Sequence, residues 1–166
     1  TPVAVSGITN AVEVGTGSRF SCVRLSTGVV KCFGDVANDK LGDNRGDYRY
    51  PVAVNNLTSI SSGTVGDDHS CTISSGGAVH CWGKNEYGQL GLGDLSTRSE
   101  PTAISGLSAS DISAGDTHSC AVSSGNVYCW GNGTKKRLGF DPNVVVGEVL
   151  GISTATQISL HYSSTC

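Results

Sequence analysis

Seven cysteines carry the chemistry that this 166-residue sequence advertises most plainly. Six of them fall into three pairs, Cys22/Cys32, Cys71/Cys81 and Cys120/Cys129, with nine, nine and eight residues between the partners, while Cys166 is left over. The surrounding text recurs: "HSCTISSGGAVHCWG" begins at His69 and "HSCAVSSGNVYCWG" at His118. Between the last pair, Ser124-Gly125 is the most economical two-residue hairpin turn, closed by Ser123 opposite Asn126. Counting outward sets Val122 opposite Val127, Ala121 opposite Tyr128 and Cys120 opposite Cys129. That pair is a non-hydrogen-bonded one, with Cα atoms about 4.5 Å apart, within disulfide range. The same count with one more turn residue joins Cys71 to Cys81 and Cys22 to Cys32. Closing such a ring of about 10 residues contributes roughly 2.7 kcal/mol on the chain-entropy model. Reduced buried thiols and zinc are the alternatives, since His69, His80, His118 and His161 lie near these cysteines. Zinc sites of this kind, however, show C-x2–4-C clusters, which are missing here. Repeated disulfides imply an oxidising compartment: extracellular, periplasmic or cell-surface.

The elements that position these pairs follow from a repeat. "TPVAVSGI", "YPVAVNNL" and "EPTAISGL" align, with Pro2, Pro51 and Pro101 at steps of 49 and 50 residues. Each unit continues through an apolar segment closing in glycine, the cysteine strand, a Gly-containing turn, a second strand and a loop ending in "LG". The glycine-closed segments are read as "AVEVGTG", "TSISSG" and "SDISAG". The whole chain is one repeat domain, with units of approximately 1–50, 51–100 and 101–150 and a partial fourth at 151–166. No window shows helical periodicity, and Gly, Ser, Thr and Val are abundant. Four short strand candidates per period of about 49 residues make an all-β chain of propeller blades, a partial or assembled propeller.

The segment "CWGKNEYGQLGLGD", with "HSC", "P.A..GL" and "ISAG", resembles the regulator of chromosome condensation repeats over essentially the whole chain. Trp82, Gly83, Asn85, Gly88, Gln89, Leu90 and Gly91 stand where that pattern puts them. Unit three keeps Trp130 and Gly131 but has Lys136-Arg137 before Leu138, and unit one has Phe33 for the Trp. The resemblance implies a β-propeller whose members are mostly binding platforms, with a secreted relative that inhibits β-lactamases. Trp82, Trp130 and Phe33 are expected as core residues wedged between blades.

Charge and pattern exclude several function classes. A net charge of −3 with 15% charged residues leaves no basic field for nucleic acid, and no apolar run is long enough for a membrane helix. Catalytic candidates fail individually. Ser21, Ser70 and Ser119 recur with the blade, and His69 and His118 recur with them, as packing residues would. Asp67-Asp68 and Asp43-Asn44 read as turn formers. The expectation is therefore no enzyme, no metal and no cofactor. Tyr48, Arg49, Tyr50 and Tyr87 are candidates for a binding face, and Asn56 and Asn132 head N-x-T glycosylation sequons. The leading expectation is a non-enzymatic interaction or adhesion module holding a protein or glycan on its loop faces. A structural subunit of a larger extracellular assembly and a secreted enzyme inhibitor are the alternatives. Cys166 occupies the place of the first cysteine of a fourth hairpin, and residues 1–5 resemble a closing strand. The expectation is a segment of a longer propeller, or ends completed by another copy.

Overall fold

The computed structural model describes residues 1–44, 50–134, 146–161 and 164–165. Three four-stranded antiparallel meanders account for nearly all regular structure. The first comprises β1 (Ala11–Thr16), β2 (Phe20–Leu25), β3 (Val30–Gly34) and β4 (Val52–Ala53). The second comprises β5 (Ile60–Val65), β6 (His69–Ser74), β7 (Ala78–Gly83) and β8 (Arg98–Ser108). The third comprises β9 (Asp111–Ala114), β10 (His118–Ser123), β11 (Asn126–Gly131) and β12 (Gly147–Glu148). A short pair, β13 (Leu160–His161) with β14 (Ser164–Thr165), follows. No helix among the described residues is long and apolar enough to cross a membrane.

Contacts between sheets run through their first strands, β1 with β5 and β5 with β9, so these lie nearest the axis and the sheets radiate as blades of a propeller. Side-chain oxygens seam the inner strands together. Glu13 Oε1 accepts the Gly63 N–H, Thr64 Oγ1 accepts that of Ala114, and Asp111 Oδ2 and Ser113 Oγ accept those of Ile158 and Leu160. Residues 158–160 thus lie against β9 as β9 lies against β5, which starts a fourth blade. Each sheet is offset from the sequence period: Val52 and Ala53, from "PVAV", pair with Cys32 and Lys31 as the outer strand of the first blade.

The cysteine hairpins fold in the register counted from their turns. Ser123 faces Asn126 and Cys120 faces Cys129, while Ser124 (φ 50°) and Gly125 (φ 85°) both adopt the left-handed conformation of a two-residue hairpin turn. Gly125 suits this because it carries no Cβ to oppose positive φ. Disulfides join Cys22 to Cys32, Cys71 to Cys81 and Cys120 to Cys129, each across a Cα separation of 4.1 Å.

One alignment differs from the sequence reading. The glycine equivalent to Gly17 and Gly115 is Gly66, not Gly63, which sits inside β5 opposite Thr72. A Cβ on Gly66 would lie 2.4 Å from the His69 ring, and one on Gly115 2.5 Å from the His118 ring. The turn needs glycine because the aromatic ring three residues on packs against its Cα; counting strand residues alone misses that.

Cores form between blades. Trp82 of the second blade packs with Phe20, Cys22, Val30, Leu41 and Val54 of the first, and Trp130 of the third with Ile73, Val79, Leu90 and Ile104 of the second. Both indoles are essentially fully buried.

Candidate interaction face

In a meander the turns after the first strand and the loops after the third emerge on the same side of the blade. Backbone bonds tie them together identically in all three: Asp35 N–H to Arg19 O, Lys84 N–H to Asp68 O and Asn132 N–H to Thr117 O, at 2.8–2.9 Å. This face therefore carries the β7–β8 loop and the described parts of the β3–β4 and β11–β12 loops, with Tyr50 and Tyr87 among their residues. Tyr50 is 66% exposed and Tyr87 49%. Tyr48 and Arg49 lie outside the described residues, as does Cys166.

The loop bearing Tyr87 is built around a fully buried asparagine. Asn85 Nδ2 donates to the carbonyls of Asp94 (2.9 Å) and Ser96 (3.1 Å), and its Oδ1 accepts the Leu90 N–H (3.0 Å). Asp94 in turn accepts the Ser96 N–H at 2.8 Å and pairs with Arg98 at 2.5 Å. These two contacts, the backbone one first, hold the Asp94 carboxyl below its ordinary value. Gln89, also fully buried, accepts the Tyr87 N–H at its Oε1 (2.9 Å). Its carbonyl receives both the Trp130 indole N–H (2.9 Å) and the Ser119 hydroxyl (3.0 Å) from the third blade. The loop that displays Tyr87 is thus anchored to the interblade core, so little conformational entropy remains to be lost on binding. The sequence pattern singles out Asn85 and Gln89 but assigns them no role, because Asn85 turns inward to carbonyls of its own loop and the partners of the Gln89 carbonyl, Ser119 and Trp130, come from the next blade.

At the boundary of the first two blades a buried cation takes the place of Gln89. Lys40, only 2% exposed, donates to Asp68 Oδ1 (2.8 Å) and Ser18 O (3.2 Å), lies 3.2 Å from Asp35 Oδ2 and stands 5.4 Å from the centre of the Phe20 ring. Its own carbonyl receives the Trp82 indole N–H at 3.0 Å. The Ala37 backbone N–H, then Lys40, hold the Asp35 carboxyl below its ordinary value. The signal for Lys40 was its place before Leu41-Gly42, matching Gln89 before Leu90-Gly91. Its partner Asp68 reads in sequence as a turn former.

His69 Nε2 and Ser119 Oγ, 2.8 Å apart, have the spacing of a nucleophile and its base. Both are fully buried between blades, and the Ser119 hydroxyl is spent on Gln89 O. Burial, reinforced by nearby His118, pushes the His69 imidazole down to about 3, so it is neutral and serves as the donor to Ser119. Ser70 lies beside the Cys22 sulfur, and the first blade has Phe20 where the others have histidine. Nearer the axis, Thr16, Val65, Asp67, Ala114, Asp116 and Leu160 line an open cleft of about 250 Å³. Burial, then the facing Asp116, raises the Asp67 carboxyl above its ordinary value. Of the sequon residues, Asn56 follows β4 and Asn132 follows β11.

A sequence model described as regulator of chromosome condensation (RCC1) repeat matches residues 76–122, and a second of the same description matches 58–89 and 109–136. No curated protein sequence matches the chain. Among solved structures, Prp20p from Saccharomyces cerevisiae, described with its binding properties to Gsp1p and histones, superposes with a TM-score of 0.83 at 17% identity. That match covers 98% of this chain and 44% of Prp20p. Yeast RCC1 (Prp20) bound by Kap60 gives 0.82 at 16% identity, covering 98% and 42%. Human WBSCR16 gives 0.80 at 21% identity, covering 90% and 42%. The chain spans less than half the length of each of these structures. The chain thus has three radial four-stranded blades of the propeller fold seen in these structures, and its second and third blades carry the RCC1 repeat signature.

Proposed function

We propose that this chain is a non-enzymatic interaction module of an oxidising compartment, extracellular, periplasmic or at a cell surface, binding a protein or glycan on the face that carries the β3–β4, β7–β8 and β11–β12 loops. The observation that carries this reading is Tyr87, half exposed on a loop pinned by Asn85, Gln89, Asp94 and Arg98. A rigid aromatic displayed by a scaffold is the usual anchor of an interface, since it brings contact area at low entropic cost. Prp20p, of the same fold, is described as binding Gsp1p and histones, which supports a protein ligand in particular. Three disulfides support the compartment. The burial of His69 and Ser119, which share one hydrogen bond away from solvent, supports the absence of turnover. Probing protein and glycan arrays with the wild-type chain and with Tyr87→Ala tests the reading. A ligand lost in the variant, at unchanged melting temperature, is the expected result. A ligand held equally by Tyr87→Ala and Tyr50→Ala would overturn it.

A second reading, as a structural unit joined by further blades or copies, is favoured by the first blade. Val12 (55% exposed) and Val14 (67%) lie uncovered on β1, on the side where the second and third blades each receive a neighbour. Native mass spectrometry over a concentration series separates the two readings: concentration-dependent assembly without ligand favours the second.

A further inference from the structure

We propose that Asn132 is an acceptor for N-linked glycan and that Asn56, the other sequon asparagine, is not. The proposal rests on the oxidising-compartment reading above and assigns a modification to its loop face. The two sites are alike in sequence, Asn132-Gly133-Thr134 and Asn56-Leu57-Thr58, but their amides differ in structure.

Asn132 Oδ1 accepts the Thr134 backbone N–H at 3.0 Å, and the Asn132 main chain is anchored to Thr117 O at 2.9 Å. Thr134 is exposed, and among the described residues no acceptor meets Asn132 Nδ2. This arrangement suits the transfer. Nδ2 attacks the anomeric carbon of a lipid-pyrophosphate-linked oligosaccharide; the carbon–oxygen bond to pyrophosphate breaks, the lipid pyrophosphate leaves, and one Nδ2 proton passes to a base of the transferase. As that proton departs, negative charge builds on Oδ1, where the Thr134 N–H already points. A glycan on Nδ2 costs the fold no hydrogen bond.

Asn56 stands otherwise. Its Nδ2 donates to Glu100 Oε2 at 3.0 Å, and neighbouring Asn55 Nδ2 donates to Glu100 Oε1 at 3.1 Å and to Asp43 O at 3.0 Å. One carboxylate thus clamps two successive amides and ties the β4–β5 connection to β8. Asn56 is also held at φ 56°, a left-handed conformation. A sugar on Nδ2 must occupy space beside Glu100 and disturb this clamp.

The test is the 166-residue chain behind a cleavable signal sequence in a eukaryotic secretory host, with secreted and cell-associated protein weighed intact, non-reduced, before and after peptide N-glycosidase. One removable glycan is expected, absent from Asn132→Gln and from Thr134→Ala but present in Asn56→Gln and Thr58→Ala. An oxidised chain without glycan, a glycan surviving Thr134→Ala, or a second glycan lost with Thr58→Ala would overturn the proposal. Free thiols at the six hairpin cysteines in the same spectra would instead strike at the compartment reading, so the two failures are distinguishable.

Discussion

The Trp130 indole N–H donates to the main-chain carbonyl of Gln89 across a blade boundary, at 2.9 Å and fully out of solvent. Trp82 repeats the contact on Lys40 at the preceding boundary. Gly91 lets the indole approach, since a Cβ there would lie 3.0 Å from Trp130 Nε1. Leu41-Gly42 with Trp82, and Leu90-Gly91 with Trp130, are therefore two halves of one joint at each of these two blade boundaries. Replacing Trp130 by Ala removes ring and bond together and is expected to cost about 3–5 kcal/mol in urea unfolding. Trp130→Phe, which keeps most of the packing and loses the hydrogen bond, is expected to cost about 1–2 kcal/mol.

His69 makes stability depend on pH in a definite direction. Its imidazole titrates at about 3 in the fold against 6.5 when exposed, so between these values the unfolded chain binds the additional proton. Its contribution is complete above pH 6.5 and is lost as pH falls towards 3, at about 1.4 kcal/mol per pH unit. His69→Phe, which copies Phe20 of the first blade, is expected to reduce the slope of unfolding free energy in that window by about that amount.

Lys40 is held by two carboxylates that are each about a third exposed, so solvent screens part of the pairing. Lys40→Ala is expected to cost about 1–3 kcal/mol, and a double-mutant cycle with Asp68→Asn to show positive coupling. Because the folded Asp35 carboxyl lies below its usual 3.8, its share of the stabilisation is present above that pH and is lost as acid titrates it. The acid limb of the stability curve is therefore expected to be shallower in Asp35→Asn.

Asn85 is expected to control order in the displayed loop rather than the blade core. Asn85→Ala leaves the Leu90 N–H and the Asp94 and Ser96 carbonyls without their buried partner, at a cost of about 1–3 kcal/mol. Hydrogen exchange in residues 86–96 is expected to rise at least tenfold, with β6 and β10 changed far less.

The blade architecture was legible because each blade must solve the same packing problem, and near-identical residues recur at fixed steps. Hairpin register followed from the turn: Ser124-Gly125 leaves one pairing that places Cys120 opposite Cys129. What could not be read were contacts whose partners come from another blade. Lys40 with Asp68, His69 with Ser119 and Gln89 with Trp130 are separated by 28, 50 and 41 residues. No local period reports such pairs, and Lys40 departs from the residue its repeat position has elsewhere. The misassigned Gly63 has the same origin: the glycine is required by a ring, not by the strand count. Tyr87 was visible as an aromatic in a loop, but the pairing of Asp94 with Arg98 that braces this loop was not, because Arg98 lies beyond the repeat motif that ends at Asp94.

Each of the three four-stranded blades is closed by its own disulfide, and this is what ties an RCC1-like fold to an oxidising compartment. Each bond spans directly opposed residues of a hairpin, and each ring of about 10 residues is expected to contribute roughly 2.7 kcal/mol. Peptide mapping of the alkylated, non-reduced protein from its native source measures this directly. The predicted result is three linked peptide pairs, Cys22 with Cys32, Cys71 with Cys81 and Cys120 with Cys129. Alkylated thiols at those six positions, or links between different blades, would contradict it.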